Sequence, residues 1–148
     1  MLNLVQRVAI TNDLEHLNQL ICDSRQYNGY DKNNNTYFIK KFGLTTDYIN
    51  NQFVFAYEAE NRIIAVSGLS FIDKLKLDYF FISPDFIGTG LGRKMWNDIC
   101  NFIKAKGWGH FEFVSNPFSV SFYRHMGAEI IADYEEAENE SKIMQYKL

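Results

Sequence analysis

Apolar residues near the N-terminus change their spacing at about residue 11, and the change separates a strand from a helix. Residues 5–10 are a short run of β-favouring character and predict a first strand. Beyond them, Asn12 is the predicted N-cap of a helix, with Glu15 three residues later completing a capping-box pattern. Apolar residues then recur at helical spacing until near Gln26, at Leu14, Leu17, Leu20 and Ile21.

A polar stretch follows this helix and predicts a loop before a second helix. Residues 27–36 contain Gly29 and three consecutive asparagines, which are typical of irregular backbone. Residues 36–42 return to a helical pattern that ends near Gly43. The sequence therefore predicts two helices between the first and second strands.

Three β-type runs come next. Phe53–Ala59 and Arg62–Phe71 are rich in β-branched and aromatic residues. Glu60-Asn61 between them predicts a hairpin, because asparagine tolerates a positive φ angle. Lys76–Ser83 predicts a further strand of the same series, which Pro84 ends.

The second half of the chain begins with a strongly amphipathic helix over Gly90–Lys106. Charged residues occupy one face, and Gly107 ends the helix. The opposite face is apolar and contains Leu91, Met95, Trp96, Ile99, Phe102 and Ile103.

The remaining residues predict one more helix and three strands. His110–Ser115 reads as a strand, and Pro117–Met126 as a short helix with proline in its first turn. Two final strands, about 128–134 and 141–148, are joined by an acidic turn. The predicted order is β-α-α-β-β-β-α-β-α-β-β, a mixed α/β (α+β) arrangement and not a regular βαβ alternation.

Composition narrows the class of protein. The chain has 148 residues, 47% hydrophobic and 22% charged, which predicts one globular domain over residues 1–148. A net charge of −3 offers no basic footprint for nucleic acid. We expect no membrane segment and a cytoplasmic location, because no leader-like pattern or long apolar run is present.

Cysteine and histidine spacing predicts no metal site. Cys22 and Cys100 form no CxxC pair and are expected to be buried free thiols. Three histidines, His16, His110 and His125, are too scattered to make a ligand set.

The alternating glycines of Gly88-Thr89-Gly90-Leu91-Gly92 lie between a predicted strand and a predicted helix, and they predict an anion site. A helix N-terminus exposes unpaired amides and the positive end of its dipole, and glycine removes the Cβ atoms that would obstruct a phosphate. A Walker A loop is excluded, because its lysine and hydroxyl residue are missing. A dinucleotide fingerprint has a different last spacing. A tight turn without a ligand remains the alternative.

Two segments together resemble the GNAT superfamily of N-acetyltransferases. The family's acetyl-CoA loop has glutamine or arginine three residues before a glycine and five before a second glycine or alanine, which places Gly90 and Gly92 on its glycines. Ile87 stands where the family usually has glutamine or arginine. Residues 116–128 (NPFSVSFYRHMGA) match the family's later segment in every spacing, from Asn116 to Gly127.

The resemblance implies a mostly antiparallel sheet of six to seven strands whose central strands, here 76–83 and 110–115, splay apart around the pantetheine of acetyl-CoA. Backbone groups of Phe81 and Ile82 would pair with that pantetheine, and Asn116 would bind it or cap the following helix. The pyrophosphate would lie on amides of Ile87, Gly88, Thr89, Gly90, Leu91, Gly92 and Arg93.

The implied reaction is transfer of an acetyl group to a primary amine by direct attack in a ternary complex. Tyr123 would protonate the departing thiolate of coenzyme A or hydrogen-bond to it, unless it is only a core aromatic. Asp78 and Glu112 are candidate general bases, and each is also a plausible outward-facing strand residue. Ordered water is the alternative base.

The acceptor is less closely defined. Aromatic residues over 27–48 and the acidic turn at 133–140 would suit a cationic amine, or they are a core helix and a solvated hairpin. The acceptor amine belongs to a small molecule, a protein N-terminus or a lysine, and the C-terminal strands would support a homodimer. The other readings are a non-catalytic acyl-CoA-binding module and a nucleotide-binding protein.

Overall fold

The computed structural model describes residues 3–134 and 140–148. Its contacts divide the chain into two units. The first comprises residues up to Leu69 together with Tyr79–Leu91, and the second comprises Ser70–Asp78 and residues from Gly92 onward. A single domain over 1–148 stays a prediction.

The described residues contain five α-helices and seven β-strands. In chain order they are β1 (Val5–Val8), α1 (Leu14–Tyr27), α2 (Lys32–Phe42), α3 (Thr46–Asn51), β2 (Phe53–Ala59), β3 (Arg62–Phe71), β4 (Leu75–Ile82), α4 (Leu91–Ala105), β5 (His110–Ser115), α5 (Val120–His125), β6 (Glu129–Asp133) and β7 (Lys142–Lys147).

The strands form a seven-stranded, mostly antiparallel sheet in the order β1-β2-β3-β4-β5-β7-β6. Antiparallel pairs join β1 to β2, β2 to β3, β5 to β7 and β6 to β7. The pair β4–β5 is parallel, with Lys76 opposite Glu112. The predicted mixed α+β class and strand number are confirmed.

Turn chemistry explains the first hairpin. Glu60 and Asn61 have φ angles of 55° and 62°, the left-handed values that a two-residue hairpin loop requires. The predicted bounds of β2 and β3 are both confirmed.

The start of α1 differs from the prediction. The helix begins after a 3-10 turn over Thr11–Asp13, and Asp13, not Asn12, is its N-cap residue. The Asp13 carboxylate accepts hydrogen bonds from Ile10 N at 2.8 Å and from both terminal nitrogens of Arg7. Asp13 therefore holds the chain entering the helix, which sequence spacing from Glu15 could not show.

Helix α2 begins four residues earlier than predicted, so the three asparagines are helical and not part of a loop. Asp31 caps the helix by accepting from Asn34 N at 2.7 Å. Asn34 and Asn35 also bind the side chain of Arg25. These contacts outside the helix offset the low helix propensity of asparagine.

Helix α3 was not predicted at all. Thr45 caps it by accepting from Tyr48 N at 3.1 Å. The helix has only 6 residues, too few for its apolar periodicity to be recognised.

The core of the first unit lies between α1 and neighbouring strands. Tyr79 donates from its hydroxyl to the carbonyl of Phe42 at 2.7 Å, and its ring meets that of Tyr48 edge to face at 5.0 Å. The buried cluster comprises Ala9, Leu17, Leu20, Ile21, Leu44, Ile49, Val54, Ala56, Val66 and Tyr79.

The core of the second unit is aromatic. Trp96 of α4 is almost fully buried, and its ring lies 5.1–5.9 Å from those of Phe111, Phe113, Tyr123 and Tyr146. The predicted apolar face of α4 is confirmed except at Phe102, which is half-buried. Gly107 ends this helix at a φ of +78°, as predicted.

Helix α5 is shorter than predicted. Residues 117–119 form a turn, and the helix begins at Val120.

Both cysteines are free. Cys100 is buried as predicted, and Cys22 is half-buried. Burial raises the pKa of both thiols. No helix among the described residues is long and apolar enough to cross a membrane.

Asp13→Asn tests the ion pair at the start of α1. The Arg7 guanidinium lowers the pKa of Asp13. The ionised Asp13 therefore stabilises the folded state fully above the unfolded pKa of about 3.9, and this stabilisation is lost as pH falls through the lower folded pKa. We expect the variant to lose about 1–2 kcal/mol of unfolding free energy at pH 7, and the difference from wild type to shrink below about pH 4. Urea denaturation across pH measures it. Asp85→Asn, which removes an exposed pair with Arg62, is the control and should cost less than about 1 kcal/mol.

Gly68→Ala tests the close approach of β3 to Tyr79. A Cβ at Gly68 would lie 2.8 Å from Tyr79 Cδ2 and 3.3 Å from Tyr48 Cε1, so the core must shift at a cost of about 1–3 kcal/mol. Gly109→Ala, whose Cβ would meet no atom within 4 Å, is the matched control. Equal unfolding free energies for the two variants would contradict the packing argument.

Candidate functional site

The glycine turn leaves the end of β4 in the first unit. Ser83 follows the strand, is buried, and donates its amide to the carbonyl of Ile64 at 2.8 Å. A 3-10 turn over Pro84–Phe86 buries Phe86. These two anchors hold the base of the turn, and residues 87–90 project beyond them as exposed backbone.

Backbone conformation explains two of the glycines. Gly88 and Gly90 have φ angles of +81° and +91°, and a Cβ at either position would meet no atom within 4 Å. Glycine is therefore needed for the left-handed backbone and not for packing. Between them Thr89 donates its hydroxyl to the carbonyl of Phe86 at 2.5 Å, which braces the turn. The space next to both glycines is open.

Helix α4 begins directly after the turn, at Leu91. The first four amides of a helix have no partner within it, and the helix dipole makes this end positive. Gly92 is half-buried in the first turn and Arg93 is exposed. Ile87, 38% exposed, cannot donate a side-chain hydrogen bond, so an anion here would depend on backbone amides.

Arg93 makes a contact that the sequence did not predict. Its Nη2 lies 3.3 Å from Nε2 of His125, at the end of α5. A guanidinium can only donate, so Nε2 is the acceptor in this contact. The contact joins the first turn of α4 to the last turn of α5 within the second unit.

Tyr123 lies in the aromatic core of the second unit. It is 7% exposed, and its ring centroid is 4.5 Å from that of Phe113 and 5.7 Å from that of Trp96. Burial raises the pKa of its phenol well above the usual value. The phenol is therefore neutral at physiological pH and is suited to donate a hydrogen bond.

Asn116 combines a capping contact with an unused donor. Its Oδ1 accepts from Ser119 N at 3.0 Å, which closes the turn before α5. Among the described residues its Nδ2 has no hydrogen-bond partner. The side chain can therefore act as a cap and still donate to a ligand.

The two candidate bases lie on adjacent strands of the second unit. Asp78 is exposed on β4. Glu112 is half-buried on β5, and both its oxygens lie 3.1 Å from Nζ of Lys74. Side chains alternate along a strand, so Glu112 points away from the face on which Phe113 contacts Tyr123. The structure thus separates Glu112 and Tyr123 by the thickness of β5.

The remaining predicted residues are at the end of β4. Phe81 and Ile82 are both half-buried, and Phe81 packs against the core of the first unit. Within residues 3–134 and 140–148, no group of three histidine, cysteine, aspartate or glutamate residues is arranged to hold a metal ion.

Solved structures resemble this fold over its full length. The PaiA N-acetyltransferase of Thermoplasma acidophilum, in complex with coenzyme A, has a TM-score of 0.84 at 17% identity, with 99% of each chain covered. The ribosomal-protein-S18-alanine N-acetyltransferase of Escherichia coli has a TM-score of 0.72 at 14% identity, covering 97% of this chain and 93% of the other.

A third structure is larger. The N-acetylglutamate synthase of Neisseria gonorrhoeae, complexed with coenzyme A and N-acetyl-glutamate, has a TM-score of 0.73 at 13% identity, covering 98% of this chain and 35% of that one. At these identities the likeness concerns the fold.

Sequence comparison identifies a family for this chain but no individual relative. No curated protein matches the chain. The sequence model of the acetyltransferase (GNAT) domain matches residues 26–148, which include the glycine turn and the segment from Asn116 to Gly127. The chain therefore belongs to the GNAT acetyltransferase family.

Proposed function

We propose that this acetyltransferase transfers the acetyl group of acetyl-CoA to a primary amine, which attacks the thioester directly in a ternary complex. The observation that carries the proposal is the open turn at Gly88 and Gly90, followed at once by the N-terminus of α4. Exposed amides at the positive end of a helix suit a pyrophosphate.

The pyrophosphate would be held mainly by backbone. Amides of residues 87–93 are the donors in this proposal, which accommodates isoleucine at position 87. Arg93 adds a positive charge, and its contact with His125 restricts the side chain before the cofactor arrives. A restrained cation loses less conformational entropy on binding.

The pantetheine would extend from the turn along the end of β4. Backbone groups of Phe81 and Ile82 are the proposed partners of its amides, by the edge pairing that adds a strand to a sheet. One of these amides would polarise the thioester carbonyl. The unused Nδ2 of Asn116 supplies a further donor.

Tyr123 would stabilise the leaving thiolate by a hydrogen bond and would not transfer its proton completely. A thiol has a pKa of about 8.5 and a phenol about 10, and burial raises the pKa of Tyr123 further. Complete transfer from phenol to thiolate is then unfavourable, whereas a hydrogen bond to the developing negative charge is favourable.

The attacking amine must first lose a proton. An alkylammonium has a pKa near 10 and must be deprotonated before attack. Glu112 is the more enclosed of the two carboxylates, and its oxygens already contact Nζ of Lys74 at 3.1 Å. Asp78 is exposed. We propose that either acts through ordered water and that neither acts alone.

The class of acceptor stays open between a small molecule and a protein N-terminus or lysine. Of the acidic turn that would favour a cationic amine, residues 135–139 lie outside the described residues. Asp133 is paired with Lys142 at 2.6 Å. A cytoplasmic location and a homodimer through the C-terminal strands remain predictions.

Tyr123→Phe should lower kcat by about tenfold or more and leave the Kd for acetyl-CoA nearly unchanged, because the hydrogen bond forms only as charge develops on sulfur. Steady-state kinetics with a panel of primary amines, together with calorimetry for acetyl-CoA, measures both. Tyr146→Phe removes a hydroxyl from the same aromatic cluster and is the control. An unchanged kcat in Tyr123→Phe would remove this residue from the mechanism.

Gly90→Ala should weaken acetyl-CoA binding, because alanine disfavours a φ of +91° by about 1–2 kcal/mol and its Cβ would occupy the space beside the amides. Gly107→Ala carries a similar backbone cost at +78°, at the other end of α4, and its Cβ also meets nothing within 4 Å. Acetyl-CoA titration should show a rise in Kd for the first variant only. If both variants bind acetyl-CoA equally well, the turn does not hold the pyrophosphate.

A further inference from the structure

Arg25 of α1 is a buried cation without an acidic partner. Arg25 is 9% exposed, and no described carboxylate forms an ion pair with it. Arg7, by contrast, pairs with Asp13 and Glu58, and Arg62 pairs with Asp85. A buried charge is costly unless it is compensated, so the surroundings of Arg25 need an explanation.

Two aromatic rings lie against the guanidinium of Arg25. Arg25 Cζ lies 4.1 Å from the ring centroid of Tyr30 and 3.8 Å from that of Phe38. Cation–π attraction of this kind offsets part of the desolvation cost. The rings also prevent the guanidinium from tilting, so its plane is held before any ligand binds.

Amide oxygens occupy one edge of the guanidinium. Nε donates to Asn35 Oδ1 at 3.0 Å, and Nη2 donates to Asn34 Oδ1 at 2.7 Å. These neutral acceptors orient the group without cancelling its charge. The nearby acids are engaged elsewhere, since Asp31 caps α2 and Asp23 accepts from Gln19.

The edge of the guanidinium away from the asparagines keeps donors that no described residue accepts. A guanidinium has five N–H donors, and the two asparagines use two of them. Nη1 makes no hydrogen bond to any described residue, and it is not among the polar atoms that are sealed from solvent without a partner. Nη1 and the second N–H of Nη2 therefore present a fixed pair of parallel donors.

We propose that this edge of Arg25 binds a carboxylate. Two parallel N–H donors match the two oxygens of a carboxylate, and apolar walls strengthen the attraction. One guanidinium neutralises a monoanion, whereas a phosphate dianion would require a second cation. The site goes beyond the proposed transfer reaction, because it depends only on α1, α2 and the loop between them.

The same geometry argues against a cationic ligand in this aromatic region. The rings that would hold an ammonium group already contact the chain's own cations. Tyr30 and Phe38 cover Arg25, while Lys41 Nζ lies 5.3 Å from the ring centroid of Phe42 and 5.7 Å from that of Tyr37. A second cation would be repelled by Arg25.

Space for the rest of a ligand exists along α1. An open groove of about 590 Å³ is lined by Asn18 and Cys22 of α1 and by Thr36 and Ile39 of α2, among others. Arg25 follows Cys22 by three residues and so continues the same side of the helix. The lining does not include Arg25 and does include the carboxylate of Glu15, so the proposed carboxylate contact depends on the guanidinium and not on the groove.

Binding can be measured on the unaltered protein. With side-chain-labelled arginine, the Nε–Hε signal of Arg25 should shift saturably when acetate is added at constant ionic strength. Acetamide, the neutral analogue of the same shape, should produce no shift. Inorganic phosphate should bind at least several-fold more weakly. The proposal is overturned if acetate produces no saturable shift, or if acetate and acetamide shift Arg25 alike.

Variants provide assignment and a matched control. Arg25→Gln removes the signal and the binding, and Arg62→Gln, which alters an arginine already paired with a carboxylate, should leave acetate binding unchanged. Arg25→Lys keeps the charge without the two parallel donors, and acetate titration followed on the backbone amide signals of α1 and α2, which every variant retains, should show at least a tenfold loss of affinity. Lysine binding as tightly as arginine would contradict the bidentate site. The titration of wild type decides the question even if Arg25→Gln does not fold.

Activity identifies the source of the carboxylate. If it belongs to the acceptor, kcat/KM for β-alanine should fall at least tenfold in Arg25→Gln while that for β-alaninamide stays constant. If acetate binds but neither amine depends on Arg25, the site serves a separate carboxylate ligand. Acetyl-CoA binding is followed in parallel. Its absence from wild type would contradict the proposed function and leave the result at Arg25 standing.

Discussion

Left-handed backbone at Gly88 and Gly90 is the constraint on which the candidate site depends. It allows the chain to pass from the half-buried end of β4 into α4 through a turn in which two of the residues carry no side chain. Any other residue would bring both a strained φ angle and a Cβ into that space. Ser83 and Phe86, which precede the turn in the chain, are buried, so the turn is exposed but anchored at its base. Packing below the turn holds the amides that the proposed function assigns to the pyrophosphate.

The two units use aromatic side chains for different purposes. In the second unit the rings around Trp96 form a buried core, and that burial raises the pKa of Tyr123. In the first unit the rings of Tyr30 and Phe38 enclose a charge instead. A phenol buried among aromatic rings does not readily give up its proton, but it can still donate a hydrogen bond. The guanidinium of Arg25 stays charged and keeps donors that no described residue accepts.

Some arginines are neutralised by a nearby carboxylate, whereas others contact only neutral groups. Arg7 has two carboxylates within 2.9 Å and joins β1 to the start of α1. Arg93 contacts a histidine, and Arg25 contacts two amides. Neither neutral contact cancels the positive charge. The residues that the proposals place near an anion are thus the arginines that the fold has oriented but not neutralised.

Patterns between near neighbours in the chain were enough to predict much of this protein. The face of α4, the Glu60-Asn61 hairpin and the glycine turn follow from spacing and turn chemistry, which act over a few residues. The segment from Asn116 to Gly127 was identified by its resemblance to the family. Tertiary structure decided the rest. It placed the asparagines of α2 in a helix because Arg25 binds them, made Asp13 the cap because Arg7 reaches it, and paired Glu112 with Lys74 and Arg93 with His125. These contacts join residues from 6 to 38 positions apart, and no local pattern records them because they exist only once the chain has packed.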